Sequence, residues 1–250
     1  MCYKLIATPV SAPSDPMANR RQWRMNLHLR LVRIAATSET LDHLHSPIEQ
    51  EIAAASQRIE EATRKVEDEY RDAVIDDECA RVEELLGLAF VAAQTFMTGV
   101  RSSIATLSKA CESDFSHPLA FVSDPKAFCV FDTGEPLQAG STHTTIRAIN
   151  AITNYWKHQD DWPTREEIKN HRCVAVWDSA NMRDNEKNTV EIVASIGMAP
   201  LSSGNLRTAV EMLGVTDYGD LSPVRQKLKD WANALYQAAR QAVDQLELDG

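Results

Sequence analysis

The chain has 250 residues, 44% of them hydrophobic and 25% charged, with only 9 Gly and 10 Pro. That is the usage of a soluble folded protein long enough to bury a sizeable core, and the scarcity of turn formers argues against a sheet-rich fold. The formal net charge of -10 is unevenly placed: residues 1–38 hold six Lys or Arg against Asp15 alone, which leaves 20 basic and 35 acidic residues for the remainder. Such a body repels nucleic acid at long range, so an RNA contact must be local or belong to the basic start.

Residues 1–38 read as a basic, flexible leader, with Met17 or Met25 as a natural start. The stretch MANRRQWRMNLHLRLVR lacks the unbroken apolar run of a secretory signal because Arg30 and Arg33 interrupt it. Its Arg-rich, nearly acid-free character also fits an organelle-targeting segment. The five cysteines, Cys2, Cys79, Cys111, Cys129 and Cys173, are scattered and never spaced as CxxC. Neither a disulfide framework nor a zinc knuckle follows, and a reducing, cytoplasmic setting fits best.

From Leu41 to Ala73 the apolar positions Leu41, Leu44, Ile48, Ile52, Ala55, Ile59, Ala62, Val66, Tyr70 and Ala73 recur at steps of three and four. This is the helical period, and Ser46 followed by Pro47 supplies an N-cap and first position. The segment VIDDECA is read as a turn. A wide apolar face then runs through Val82, Leu85, Leu86, Ala89, Ala93, Phe96, Met97, Val100, Ile104 and Leu107. It predicts the central helix of a bundle, paired with the first in a hairpin over 41–110. Its longest apolar run, Leu85 to Val100, is interrupted by Gln94, Thr95 and Thr98. That run falls short of the ~20 residues of a membrane span and reads as core.

Residues 112–141 contain three prolines and an Asp-Thr-Gly turn, so the helical period breaks there in a Pro-rich insertion, with KAFCVF as a short strand. A third helix is expected over 142–162, ending before Pro163. CVAVW is a candidate strand, and the C-terminal helices occupy 186–248. The last of them opens at Ser222 and Pro223 and buries Val224, Leu228, Trp231, Leu235, Ala239, Val243 and Leu246 on one face. The whole is an all-α or nearly all-α helical bundle, one domain over 39–250.

The third helix carries the densest chemistry. At about 100° per residue, Arg147, Asn150, Asn154, Lys157, His158 and Asp161 share one stripe, opposite Ile149, Ile152 and Trp156, with Tyr155 and Ile146 at the margins. A polar stripe opposite an apolar one is also what any surface helix of a bundle shows. Against that reading, Asn and His are weaker helix formers than the Lys, Glu and Gln normally used for solvation.

The stretch TNYWKH, Thr153 to His158, resembles the RNxxxH form of the motif in HEPN domains, helical bundles of bacterial toxin-antitoxin and phage-defence systems that often dimerise and cleave RNA without metal. The resemblance implies a catalytic pair, His158 as general acid or base and Asn154 orienting phosphate or imidazole. Lys157, Arg147 and Asn150 would contact phosphate or RNA, with Asp161 completing the polar face. It implies a homodimer, a possible RNA or antitoxin partner, and no cofactor. The family's Arg position is Thr153 here, which removes a phosphate-gripping guanidinium. A dead nuclease that still binds RNA or its partner fits the motif equally well.

Two rival readings remain. One is a non-enzymatic module whose long amphipathic helices dock a protein partner. The other is a metal site built on His158 and Asp161 with His143, His171 or Asp178 brought in by folding. A helix-turn-helix over Glu191–Gly214 would offer only Arg207 to DNA, too little charge to hold a backbone. His28, His43, His45 and His117 read as surface or capping residues, and Cys129 and Cys173 as small buried hydrophobes. No membrane partner and no metal are expected.

Overall fold

The computed structural model describes residues 16–65, 67–115, 128–139, 141–158, 184–198 and 204–248. Among them are six α-helices, one 3-10 helix and no strand. They are α1 (Pro16–Lys65), α2 (Asp68–Phe115), α3 (Thr145–Lys157), α4 (Asp184–Ser195), α5 (Asn205–Met212) and α6 (Ser222–Leu248). The all-α bundle expected from the sequence is the fold of the described residues.

α1 and α2 form the hairpin that organises everything else. Along α1, Leu41, His45, Ile48, Ile52, Ala55, Ile59 and Ala62 alternate steps of four and three, the spacing that keeps one seam turned toward a partner helix. Of these, Leu41, His45, Ile52, Ala55 and Ala62 are fully buried. The α2 side of the core contains Val82, Leu86, Ala89, Phe90, Ala93, Phe96, Met97, Val100, Ile104 and Leu107; all but Phe90 lie on the expected apolar face, whose Leu85 is only partly buried. At the seam's flanks Arg58 bridges Glu51 and Glu78, and Arg81 reaches Glu51.

Three boundaries differ from the sequence expectation. Pro47 lies inside α1, so Ser46 and Pro47 do not open the helix. The seam positions Leu41 and His45 precede them in the same register, and their burial outweighs the one hydrogen bond that proline cannot donate. α1 ends at Lys65 and α2 opens at Asp68, so VIDDECA is not the hairpin turn but forms early turns of α2. Tyr70 and Ala73 therefore leave the first helix's apolar face and are exposed on α2. Helix α1 also reaches back to Pro16, through most of the segment read as a leader.

α6 lies antiparallel to α1, as its two cross-helix ion pairs show: Arg225 meets Glu49, while four residues later Lys229 meets Asp42. Its apolar face from Val224 to Val243 is buried as predicted. α3 runs antiparallel to α2, α4 packs on α3, and α5 packs on α2. α2 is long and apolar enough to cross a bilayer by length and composition alone. Ten of its apolar positions from Val82 to Leu107 are buried in the core, while Leu88 is exposed.

Residues 128–131 of KAFCVF are not a strand; they belong to a 3-10 helix, Phe128–Asp132. Phe131 packs against Trp231 of α6 with ring centroids 6.0 Å apart, and Arg101 stands over the Phe131 ring. Among the described residues there is no strand edge for it to join, whereas a tight helical turn buries both Val130 and Phe131. CVAVW lies outside the described residues.

Candidate functional site

α3 is shorter than expected, Thr145–Lys157, and its start is fixed by side chains rather than by sequence signals at 141 or 142. Thr144 is the N-cap: its hydroxyl accepts from Arg147 N–H and donates to the Phe131 carbonyl. Backbone bonds from Leu137 to His143 and from Thr145 to Glu135 fold the preceding loop against this cap. Trp231 Nε1 donates to Thr133 at 3.0 Å, tying the loop to α6.

The apolar side of α3 is as the sequence predicts, with Ile146, Ile149, Ile152 and Tyr155 buried. Trp156 is half-buried and covers Gly87 of α2, where an added Cβ would fall 2.0 Å from its Cε2 atom. Thr153 belongs to this side too. It is 0% exposed, and its hydroxyl bonds the carbonyls of Phe90 at 3.0 Å and Ile149 at 2.8 Å. The position matching the HEPN arginine thus points into the α2/α3 interface.

The polar stripe is brought together only in part. Gln94 of α2 donates from Nε2 to Asn150 at 2.9 Å and to Asn154 at 2.8 Å, and its Oε1 accepts from Lys157 Nζ at 2.8 Å. One amide thereby uses both donors and an acceptor on α3, a satisfied network that fixes the helix's rotation. Arg147 lies apart, its guanidinium forked onto Asp132, with Nη2 2.8 Å from Oδ2. His158 is the C-cap residue, exposed, its backbone N–H bonding Asn154 and Tyr155 carbonyls. Asp161 lies outside the described residues, as do His171 and Asp178.

Chemically, Lys157 and His158 are the predicted site groups that are exposed among the described residues. They stand at the C-terminal end of a helix, where the backbone dipole favours cations and repels phosphate. Among the described residues no group of three His, Cys, Asp or Glu could hold a metal ion.

Three functional side chains escaped the sequence reading. Gln94 looked like an interruption of an apolar run, and a single amide within such a run is itself the signal of a buried polar partner. His45 is not a surface residue: it is 1% exposed, with Nε2 donating to the Ala89 carbonyl at 3.0 Å and Nδ1 left without a partner. Burial pushes its imidazole below the usual histidine range. Glu83 caps α5, whose N-cap Gly204 has no side chain; its carboxylate accepts from Leu206 N–H and from Arg207 Nε. Arg207, the one cation of the supposed recognition helix, is therefore engaged with α2.

No protein-family model, no curated protein and no solved structure matches the chain.

Proposed function

We propose that this protein is a non-enzymatic helical interaction module that engages a protein partner along the α1/α2 hairpin. One observation carries the reading. The large apolar side chains exposed among the described residues, Met25, Leu29, Val32, Leu44, Tyr70, Val74 and Leu88, all belong to the hairpin and are 38% to 60% exposed. Exposed apolar area concentrated on one element marks an interaction surface, whereas single scattered residues need no explanation. The polar face of α3 meanwhile spends Asn150, Asn154 and Arg147 on its own chain.

The test is site-specific photo-cross-linking in cells, with a photoreactive residue at Leu29, Leu44, Tyr70 or Leu88 and, for comparison, at His158. The module reading expects a discrete protein adduct from the hairpin positions. Adducts from His158 alone, or to RNA alone, would overturn it.

A HEPN-like RNase or RNA-binding protein of toxin-antitoxin or defence type is the second reading. The exposure of Lys157 and His158 on the motif helix favours it. In that reading a homodimer brings two copies of His158 to one scissile phosphate, where one imidazole takes the proton of the attacking 2'-hydroxyl and the other gives a proton to the departing 5'-oxygen. The purified protein would then cleave or bind labelled RNA, and His158→Ala would abolish cleavage. A wild-type protein inert toward RNA removes this reading and leaves the first intact.

A further inference from the structure

Five of the hairpin's exposed apolar residues fall in two separated stretches of opposite net charge. Continuing the seam of α1 backward places positions 27, 31 and 34 in line with Leu41 and His45, so Met25, Leu29 and Val32 fall on the outer side of the helix. They are exposed, as that placement requires. Over residues 16–38 this arm of α1 carries five Arg and no carboxylate. At the other end, Tyr70 and Val74 fall on the outer side of α2 and are also exposed. Residues 68–84 around them hold eight carboxylates and two Arg, with Glu69, Asp72, Asp76, Asp77 and Glu84 exposed.

We infer that the partner of the hairpin is a second copy of this chain, the basic arm of one copy docking on the acidic start of α2 of the next. This rests on the interaction-module reading and names its partner. The match is one of charge and of kind: each patch offers an exposed i, i+4 apolar pair, Met25 with Leu29 and Tyr70 with Val74, in a stretch whose net charge the other complements. A polyanionic partner would be turned away by a body whose remaining residues carry 35 acidic against 20 basic side chains.

The placement also sets the symmetry. The cross-helix contacts His45 to Ala89 and Arg58 to Glu78 put Tyr70 and Val74 opposite residues 60–64 of α1. The two patches are then about 50 Å apart along the hairpin. They face outward from different helices of the pair, so outer sides that point away from each other must meet in a head-to-tail contact. A contact of that kind leaves one unused patch at each end and grows rather than closing.

Sedimentation velocity on the full chain tests this, using wild type, Leu29→Asp and Tyr70→Lys, with circular dichroism confirming that each variant keeps its helix content. Met25→Asp and Val74→Lys replace either variant that fails to fold. The expected wild type exceeds a dimer's mass as concentration rises at low salt and returns to the 27.9 kDa monomer in roughly 0.5 M salt. Each variant alone stays monomeric, and an equimolar mixture stops at a one-to-one dimer, since one intact contact remains. A wild type monomeric throughout, or single variants that still associate, would overturn the inference. So would an arm that instead binds anionic vesicles or a short RNA and loses that binding in Leu29→Asp. A monomeric wild type whose hairpin cross-links a different protein in cells defeats self-assembly alone and leaves the module reading standing; no protein adduct at all defeats both.

Discussion

Placing at position 153 the arginine of the HEPN motif should destabilise the fold strongly rather than create a nuclease. Thr153 is fully enclosed between α2 and α3, and the two helices approach closely on either side of it, at Gly87 under Trp156 and at Gln94 over Asn154. A guanidinium there is much larger than the threonine side chain and brings a charge into a buried, largely apolar helix interface. Overpacking costs about 1–3 kcal/mol and an uncompensated buried charge about 3–5 kcal/mol, so Thr153→Arg should lose roughly 4 kcal/mol or more. That is a large share of a total stability of about 5–15 kcal/mol. Thr153→Val keeps the shape and removes only the hydroxyl bonds, for a loss of about 1 kcal/mol. Urea unfolding followed by far-UV circular dichroism measures both. A Thr153→Arg protein as stable as wild type, above all one that acquires RNase activity, would refute the orientation of α3 on which the reasoning stands.

Gly87→Ala should destabilise despite alanine's advantage of about 1 kcal/mol in a helix, because its methyl would occupy the space of the Trp156 ring. The net loss is about 1–2 kcal/mol by thermal or urea unfolding, and Gly87→Ala with Trp156→Leu should recover part of it. Glu49→Gln keeps an acceptor for Leu221 N–H but discharges the largely enclosed pair with Arg225, for a loss of about 1–3 kcal/mol that high salt does not reproduce in wild type. Stability should also fall in mild acid. The folded pKa of His45 lies below its unfolded value near 6.5, so the unfolded chain takes up the proton first. Its contribution is complete above about pH 6.5 and is lost as pH falls through the folded value. Asp42, held low by the Lys229 ammonium, adds a second loss only in the carboxylate range below about pH 4. His45→Leu should flatten the first slope in urea midpoints taken from pH 7 to 5, and an unchanged slope would place the titration elsewhere.

The hairpin was legible because a seam of alternating fours and threes is local: it survives in the order of Leu41, Ile52 and Ala55 without knowledge of what they touch. The change from α1 to α2 between Lys65 and Asp68 was not, since the sequence there contains neither glycine nor proline. Ser46 and Pro47 carried a start signal that long-range burial overrode, the ordinary fate of local preferences set against a core. In α3 the isoleucines were placed correctly and Thr153 was not. A threonine can satisfy its hydroxyl on its own helix, here at the Ile149 carbonyl, and so enter a core while looking polar in sequence. Gln94 became meaningful only once α3 lay across it, because its partners are 56 to 63 positions away.

The capping of α5 by Glu83 has a temporal consequence. Eight residues are too few to persist as a helix in water, and here the carboxylate that satisfies the opening amide groups comes from a residue 123 positions earlier. Such a segment has nothing to form on until the hairpin stands. In stopped-flow refolding, most ellipticity should return first from the long helices, with a probe at Leu206 reporting its native signal last.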